Sequence, residues 1–246
     1  MGYNALQDLY MAGVRWELSE DIKKHGLEKT TQTNSASAYT PSKPVIVPAC
    51  APITLDIAKS MATRPGDIES LVRMILEFNH PLRVGATNGV MPNIAPLPNG
   101  LVIITDMPST DDDLSGKILS GAAGEMMDKM LSAIEMGRDS VSIVPLVFWR
   151  PPGGRTPTRE ELDLIRPFID KMLEMLKPKI VITLGTLATT EIGQANLTAN
   201  HGAQIQSDKG FTVIPMYHPN YLILKPSAKR DVWTVLQNVQ KMLKNP

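Results

Sequence analysis

The sequence predicts an α/β protein: a three-layer α/β/α sandwich on a four-stranded parallel sheet, with an N-terminal helical arm. Two observations predict it. Short β-branched apolar runs recur along the chain, and segments with helical periodicity lie between them. Strands that alternate with helices form a parallel sheet covered on both faces. A length of 246 residues suffices for one sizeable α/β domain with appendages.

Over residues 3–24, Leu6, Leu9, Tyr10, Val14 and Leu18 recur at three- and four-residue steps, which predicts a helix. Residues 28–51 are rich in Ser, Thr, Ala and Pro and read as a flexible linker. The expected organisation is an arm over 1–26, a linker over 27–51 and one domain over 52–246. Helices are expected over 55–62 and 68–78, the second capped by Asp67 after Pro65-Gly66 and stopped by His80-Pro81. Strands are expected over 101–105, 140–148, 180–184 and 212–216. Between them, Met127, Met130, Leu131 and Ile134 give helical spacing to 121–136. Thr158 and Glu161 form a capping-box pattern at the start of 159–176. Residues 186–194 and 231–243 read as the remaining helices.

Lys and Arg total 25, as do Asp and Glu, so no basic excess marks the whole chain for nucleic acid. A local basic patch remains open. The single cysteine, Cys50, excludes a disulfide framework and a cysteine-only metal site. No apolar run of about 18 residues points to a membrane span. Asp8 near the start argues against a signal peptide, and a cytoplasmic monomer is expected. No Gly-x-Gly-x-x-Gly or phosphate-loop pattern follows a strand, which disfavours a small-molecule enzyme on a similar sheet.

Three polar segments follow strands, where an open α/β sheet binds ligands. The first runs from Pro108 to Gly124 and carries Asp111, Asp112 and Asp113. Taken alone, this triplet reads equally as a solvated loop or a helix cap. The second, Val144–Thr158, holds Arg150-Pro151-Pro152-Gly153-Gly154-Arg155-Thr156-Pro157. The third is Tyr217–Asp231, with His218-Pro219-Asn220-Tyr221-Leu222 and the cations Lys225, Lys229 and Arg230.

Over about residues 67–243 these segments resemble the uracil-DNA glycosylase superfamily, most closely its family 4 branch. The spacing of Asp112, Asp113, Gly116, Gly121, Ala123 and Gly124 matches that family's first motif. Arg-Pro-Pro-x-x-Arg-Thr-Pro matches its second, and His-Pro-x-Tyr-Leu its third. The resemblance implies a DNA-binding enzyme that rotates a nucleotide out of the duplex and hydrolyses its N-glycosidic bond. Asp106 and Asp112 would orient water, and His218 would stabilise the departing base. Met107, Pro108, Leu119 and Pro145 would border the base, with Leu119 in place of a stacking phenylalanine. Arg150, Arg155, Asn220, Tyr221, Lys225, Lys229 and Arg230 would contact DNA, and Leu222 to Leu224 would wedge it. Arg150 and Arg155 serve equally well as surface ion-pair partners.

Several positions depart from the pattern. The family's edge-reading asparagine falls on Pro145, which offers neither a side-chain amide nor a backbone N–H. Family 4 holds an iron–sulfur cluster through four cysteines, and three of those places fall on or near His80, Trp149 and Ile165. No cofactor is therefore expected, and apolar packing is expected in its place. The alternative is a catalytically impaired DNA-binding protein that retains the glycosylase scaffold.

Overall fold

The computed structural model describes residues 53–244. The expected arm over 1–26 and linker over 27–51 lie outside them. Helices α1 (Leu55–Ala62) and α2 (Ile68–Glu77) come first, followed by strand β1 (Leu101–Thr105), α3 (Thr110–Ser115), α4 (Gly121–Ser132) and β2 (Ser142–Pro145). The chain continues through α5 (Arg159–Leu176), β3 (Ile180–Leu184), α6 (Thr186–Gly193), α7 (Leu197–Asn200), β4 (Ile205–Gln206) and β5 (Thr212–Met216). It closes with α8 (Pro219–Leu224) and α9 (Lys229–Lys244).

The strands order as β2-β1-β3-β5-β4. The first four are parallel, as expected, and β4 runs antiparallel to β5. The fifth strand corrects the four-stranded expectation; at two residues it is too short to show a period of two. Alternate residues of the parallel strands face opposite layers. Val102, Ile104, Val181 and Val213 pack with α1, α2, α5 and α6. Leu101, Ile103, Ile143, Ile182 and Ile214 pack with α4, α8 and α9. Both faces are covered, which is why these strands read as unbroken apolar runs.

Two expectations shift for physical reasons. The run expected over 140–148 is buried from Val141 onward, but only Ser142–Pro145 pair as strand. At Leu146 the backbone N–H turns to the carbonyls of Thr105 and Asp106, and the chain leaves the sheet. The aspartate triplet, expected within a polar loop, forms α3. Ser109 caps it: the Ser109 hydroxyl accepts from the Asp112 N–H while the Asp112 carboxylate accepts from the Ser109 N–H. The capping box at α5 forms as the sequence predicts, through Thr158 and Glu161.

The outer edge of β2 is met by Asn93, while Met91 bridges Lys117. Asn93 and Ile143 exchange both backbone hydrogen bonds, at 2.8 and 2.7 Å. An exposed strand edge is a template for unwanted pairing, and this segment covers it.

Candidate active site at the carboxyl edge of the sheet

Thr105, Pro145, Leu184 and Met216 stand in register as the last residues of the four parallel strands. The polar groups gather immediately beyond this row.

Asp106 follows Thr105 on the α6 side of the sheet. Its Oδ1 accepts the Ala188 N–H at 2.6 Å, so the carboxylate sits on the N-terminus of α6. Gly185 makes this possible. Its φ of +97° is the region that favours glycine, and a Cβ there would lie 2.2 Å from Asp106 Oδ2. Burial pushes the Asp106 carboxyl up to about 6, against hydrogen bonds from the N–H groups of Ala188, Leu187 and Thr186 that lower it.

His218 caps α8 from the opposite face. Its Nδ1 accepts the Asn220 N–H at 3.2 Å, which leaves the proton of the neutral ring on Nε2. Nε2 then donates to Thr105 Oγ1 at 3.1 Å. Burial pushes the imidazole down to about 4, and the nearby Asp112 opposes this. At neutral pH His218 is therefore an uncharged N–H donor aimed at the end of β1. Asp106 and His218 thus flank the end of β1 from opposite faces of the sheet.

Asp112 has a different position from the one the sequence predicts. It is 4% exposed, and both carboxylate oxygens accept backbone N–H groups: Oδ2 from Ser109 and Oδ1 from Ser120 at 2.6 Å. It clamps the two ends of the loop and shapes the field around His218. The helix-cap reading of the triplet is correct for this residue.

Leu119 lies in the core with α4, 3% exposed, at a φ of +48°. The Arg138 guanidinium holds the carbonyls of Ile118 and Leu119, at 3.0 and 2.8 Å. Leu119 is thus a packed wall rather than an open stacking face. Pro108 is buried, and Met107 packs against the cluster that includes α5. Pro145 ends β2 beside Thr105.

Leu222 is the clearest correction. It is 1% exposed and packs under α9, so it cannot enter a duplex. The exposed apolar tip is Leu224, at 84%, with Ile223 and Tyr221 half-exposed beside it. A six-residue helix puts positions 222 and 224 on different sides, so residues 222–224 do not act as one linear wedge. Asn220, Lys225, Lys229 and Arg230 are exposed on the same segment. The Lys225 ammonium lies 5.9 Å from the Tyr221 ring centroid. Arg155 is committed to Glu161 through two hydrogen bonds of 2.8 and 2.6 Å, so its ion-pair reading holds. The Arg150 guanidinium lies against Gly154, where a Cβ would meet both terminal nitrogens at 3.0 Å.

His80 and Trp149 stack with centroids 5.2 Å apart and planes 12° from parallel. His80 Nε2 is bonded to the Glu161 carbonyl, and Nδ1 accepts the Leu82 N–H. Trp149 and Ile165 are each 1% exposed in the same core. Both imidazole nitrogens are occupied, and the indole and sec-butyl groups of Trp149 and Ile165 carry no ligating atom. These positions do not fit an iron–sulfur cluster, which requires thiolates. Cys50 lies outside the described residues.

Sequence reasoning missed Thr105 and Gly185. A hydroxyl closing an apolar strand, and a glycine between a strand and a helix, were the available signals.

A parallel sheet with helices on both faces, and a carboxylate and a neutral imidazole flanking one strand end, defines an α/β enzyme whose site lies at the carboxyl edge. The chain belongs to the uracil-DNA glycosylase superfamily, a group of DNA glycosylases, whose family model matches residues 92–240. A Type-4 uracil-DNA glycosylase of Thermotoga maritima is 30% identical over 165 residues, 65% of this chain and 84% of that protein. One from Archaeoglobus fulgidus is 30% identical over 142 residues, covering 53% and 70%. One from Pyrobaculum aerophilum is 27% identical over 177 residues, covering 67% and 89%.

Proposed function

We propose that the protein excises uracil or a related base from DNA by hydrolysing the N-glycosidic bond of a nucleotide rotated out of the helix. The pairing of Asp106 and His218 across the end of β1 carries this reading. A carboxyl near 6 is largely ionised at neutral pH and basic enough to orient and partly deprotonate water. Water adds to C1′ of the sugar, the C1′–N bond breaks, and its electron pair leaves with the base. The base then carries negative charge. A neutral imidazole N–H, fixed before the reaction, supplies the hydrogen-bond donor at that end of the site.

The exposed segment Asn220 to Arg230 supports the DNA contact. Its cations suit phosphates, and Leu224 is the apolar tip available to a base step. We propose further that the domain folds without an iron–sulfur cluster, supported by the packing of His80, Trp149 and Ile165. Among the described residues no helix is long and apolar enough to cross a membrane.

Two observations favour a second reading, a DNA-binding protein with impaired catalysis. Pro145 carries no side-chain amide to read a base edge, and both Asp112 oxygens serve as backbone clamps. Release of base from a labelled oligonucleotide with a single uracil, single-stranded or opposite guanine, decides between them. Release that His218→Ala abolishes supports the glycosylase. DNA bound in a salt-dependent manner with no base released supports the second reading.

A further inference from the structure

We infer that the Thr105 hydroxyl, held by His218, is the group that touches the departing base and takes the place of the missing edge reader. The inference rests on the glycosylase reading. Thr105 is in register with Pro145 on the neighbouring parallel strand. Ile103 and Ile143, two residues earlier on each strand, pack in the same layer, so Thr105 and Pro145 share one face of the sheet. Neighbouring strands lie about 4.8 Å apart. The hydroxyl therefore stands one strand away from the position of the family's asparagine. Of the four residues that end the parallel strands, Thr105, Pro145, Leu184 and Met216, only Thr105 carries a polar side chain.

The hydrogen-bond directions select its role. His218 Nδ1 is occupied by the Asn220 N–H, so the imidazole donates from Nε2 and Thr105 Oγ1 accepts. The Thr105 O–H proton is left over, and no hydrogen bond donated by it is found among the described residues. Thr105 is 2% exposed in the free chain, so a base meets its hydroxyl only once the side chains covering this strand end move aside. A buried donor without an acceptor is costly, and a carbonyl oxygen of a bound base would satisfy it. The chain imidazole N–H to hydroxyl to base carbonyl contains two hydrogen bonds that polarise one another. Negative charge on the leaving base strengthens both. No proton needs to transfer along it.

The test compares Thr105→Val, which keeps the shape and removes the hydroxyl, with Thr105→Ser, which keeps the hydroxyl. Base release from uracil DNA is measured in single turnover, DNA affinity in parallel, and the His218 tautomer from its imidazole ¹⁵N shifts. The expected result is release slowed about 10²-fold in the valine variant, a loss typical of one transition-state donor. Affinity and the Nε2–H tautomer stay unchanged, and the serine variant stays within about threefold of the parent. A valine variant as fast as the parent overturns the inference, as does a serine variant as slow as valine. Slow release with a switched tautomer also overturns it, because Thr105 would then act only through His218. A parent chain that releases no base refutes the glycosylase reading itself, and this inference falls with it.

Discussion

Asp106→Asn is expected to lower activity and raise stability at neutral pH, because one physical cause acts on both. Burial lifts the carboxyl from its ordinary 3.8 to about 6. At 1.36 kcal/mol for each pH unit, that gap disfavours the ionised form by about 3 kcal/mol, an upper bound that solvent at the site's mouth reduces. The folded chain holds this proton more tightly than the unfolded chain does. Stability is therefore gained as pH falls from about 6 towards 3.8, and the ionised group destabilises above that window. Asparagine keeps an oxygen for the Ala188 N–H and removes the charge, so the melting temperature should rise at pH 7 and change little at pH 4. Activity moves the other way. With a midpoint at about 6, about 91% of the carboxyl is ionised at pH 7 and about 9% at pH 5. An ordinary carboxyl would still be about 94% ionised at pH 5. His218, at about 4, remains mostly neutral across this range and does not contribute to the limb. Single-turnover base release between pH 4.5 and 8 should thus lose about tenfold between pH 7 and 5, and Asp106→Asn should lose about 10²–10⁴-fold at pH 7. An acid limb centred below pH 5, or a variant that keeps the parent rate, would refute the assignment of Asp106 as base.

Leu222→Ala should cost about 2–5 kcal/mol in denaturant unfolding, as a buried leucine does. Leu224→Ala should cost less than about 0.5 kcal/mol yet weaken binding to uracil duplex measured by anisotropy; the reverse pattern would restore Leu222 as the wedge. Gly185→Ala brings a Cβ to 2.2 Å from Asp106 Oδ2 and should cost about 1–3 kcal/mol in backbone strain alone, with base release falling as the carboxylate is displaced. Trp149→Ala should cost about 3–5 kcal/mol in calorimetry, while iron chelators leave the parent's melting temperature unchanged; a chelator-sensitive fold would refute the proposal of an iron-free core.

The layers of the fold were legible because strands buried on both faces leave unbroken apolar runs, and β1, β3 and β5 coincide with such runs. β2 was overdrawn because burial continues through Trp149 after strand pairing ends at Pro145. Local chemistry was legible where a hydrogen bond closes within four residues, as in the capping box of Thr158 and Glu161. His218 could be singled out because its motif is contiguous. The link from His218 to Thr105 spans 113 positions and depends on strand register, which no local pattern encodes. Asp112 was ambiguous for a related reason. Its bond to the Ser120 N–H, eight residues away, forms only when the loop closes on itself.

The stack of His80 on Trp149 gives this corner of the domain a graded response to change. A ligated metal is lost as a unit, so a single missing ligand opens the whole corner. Rings in van der Waals contact lose their attraction atom by atom. Substitutions here should form a continuous series of stabilities from Trp149→Phe down to alanine, and the fold can sample neighbouring sequences without passing through an unfolded intermediate.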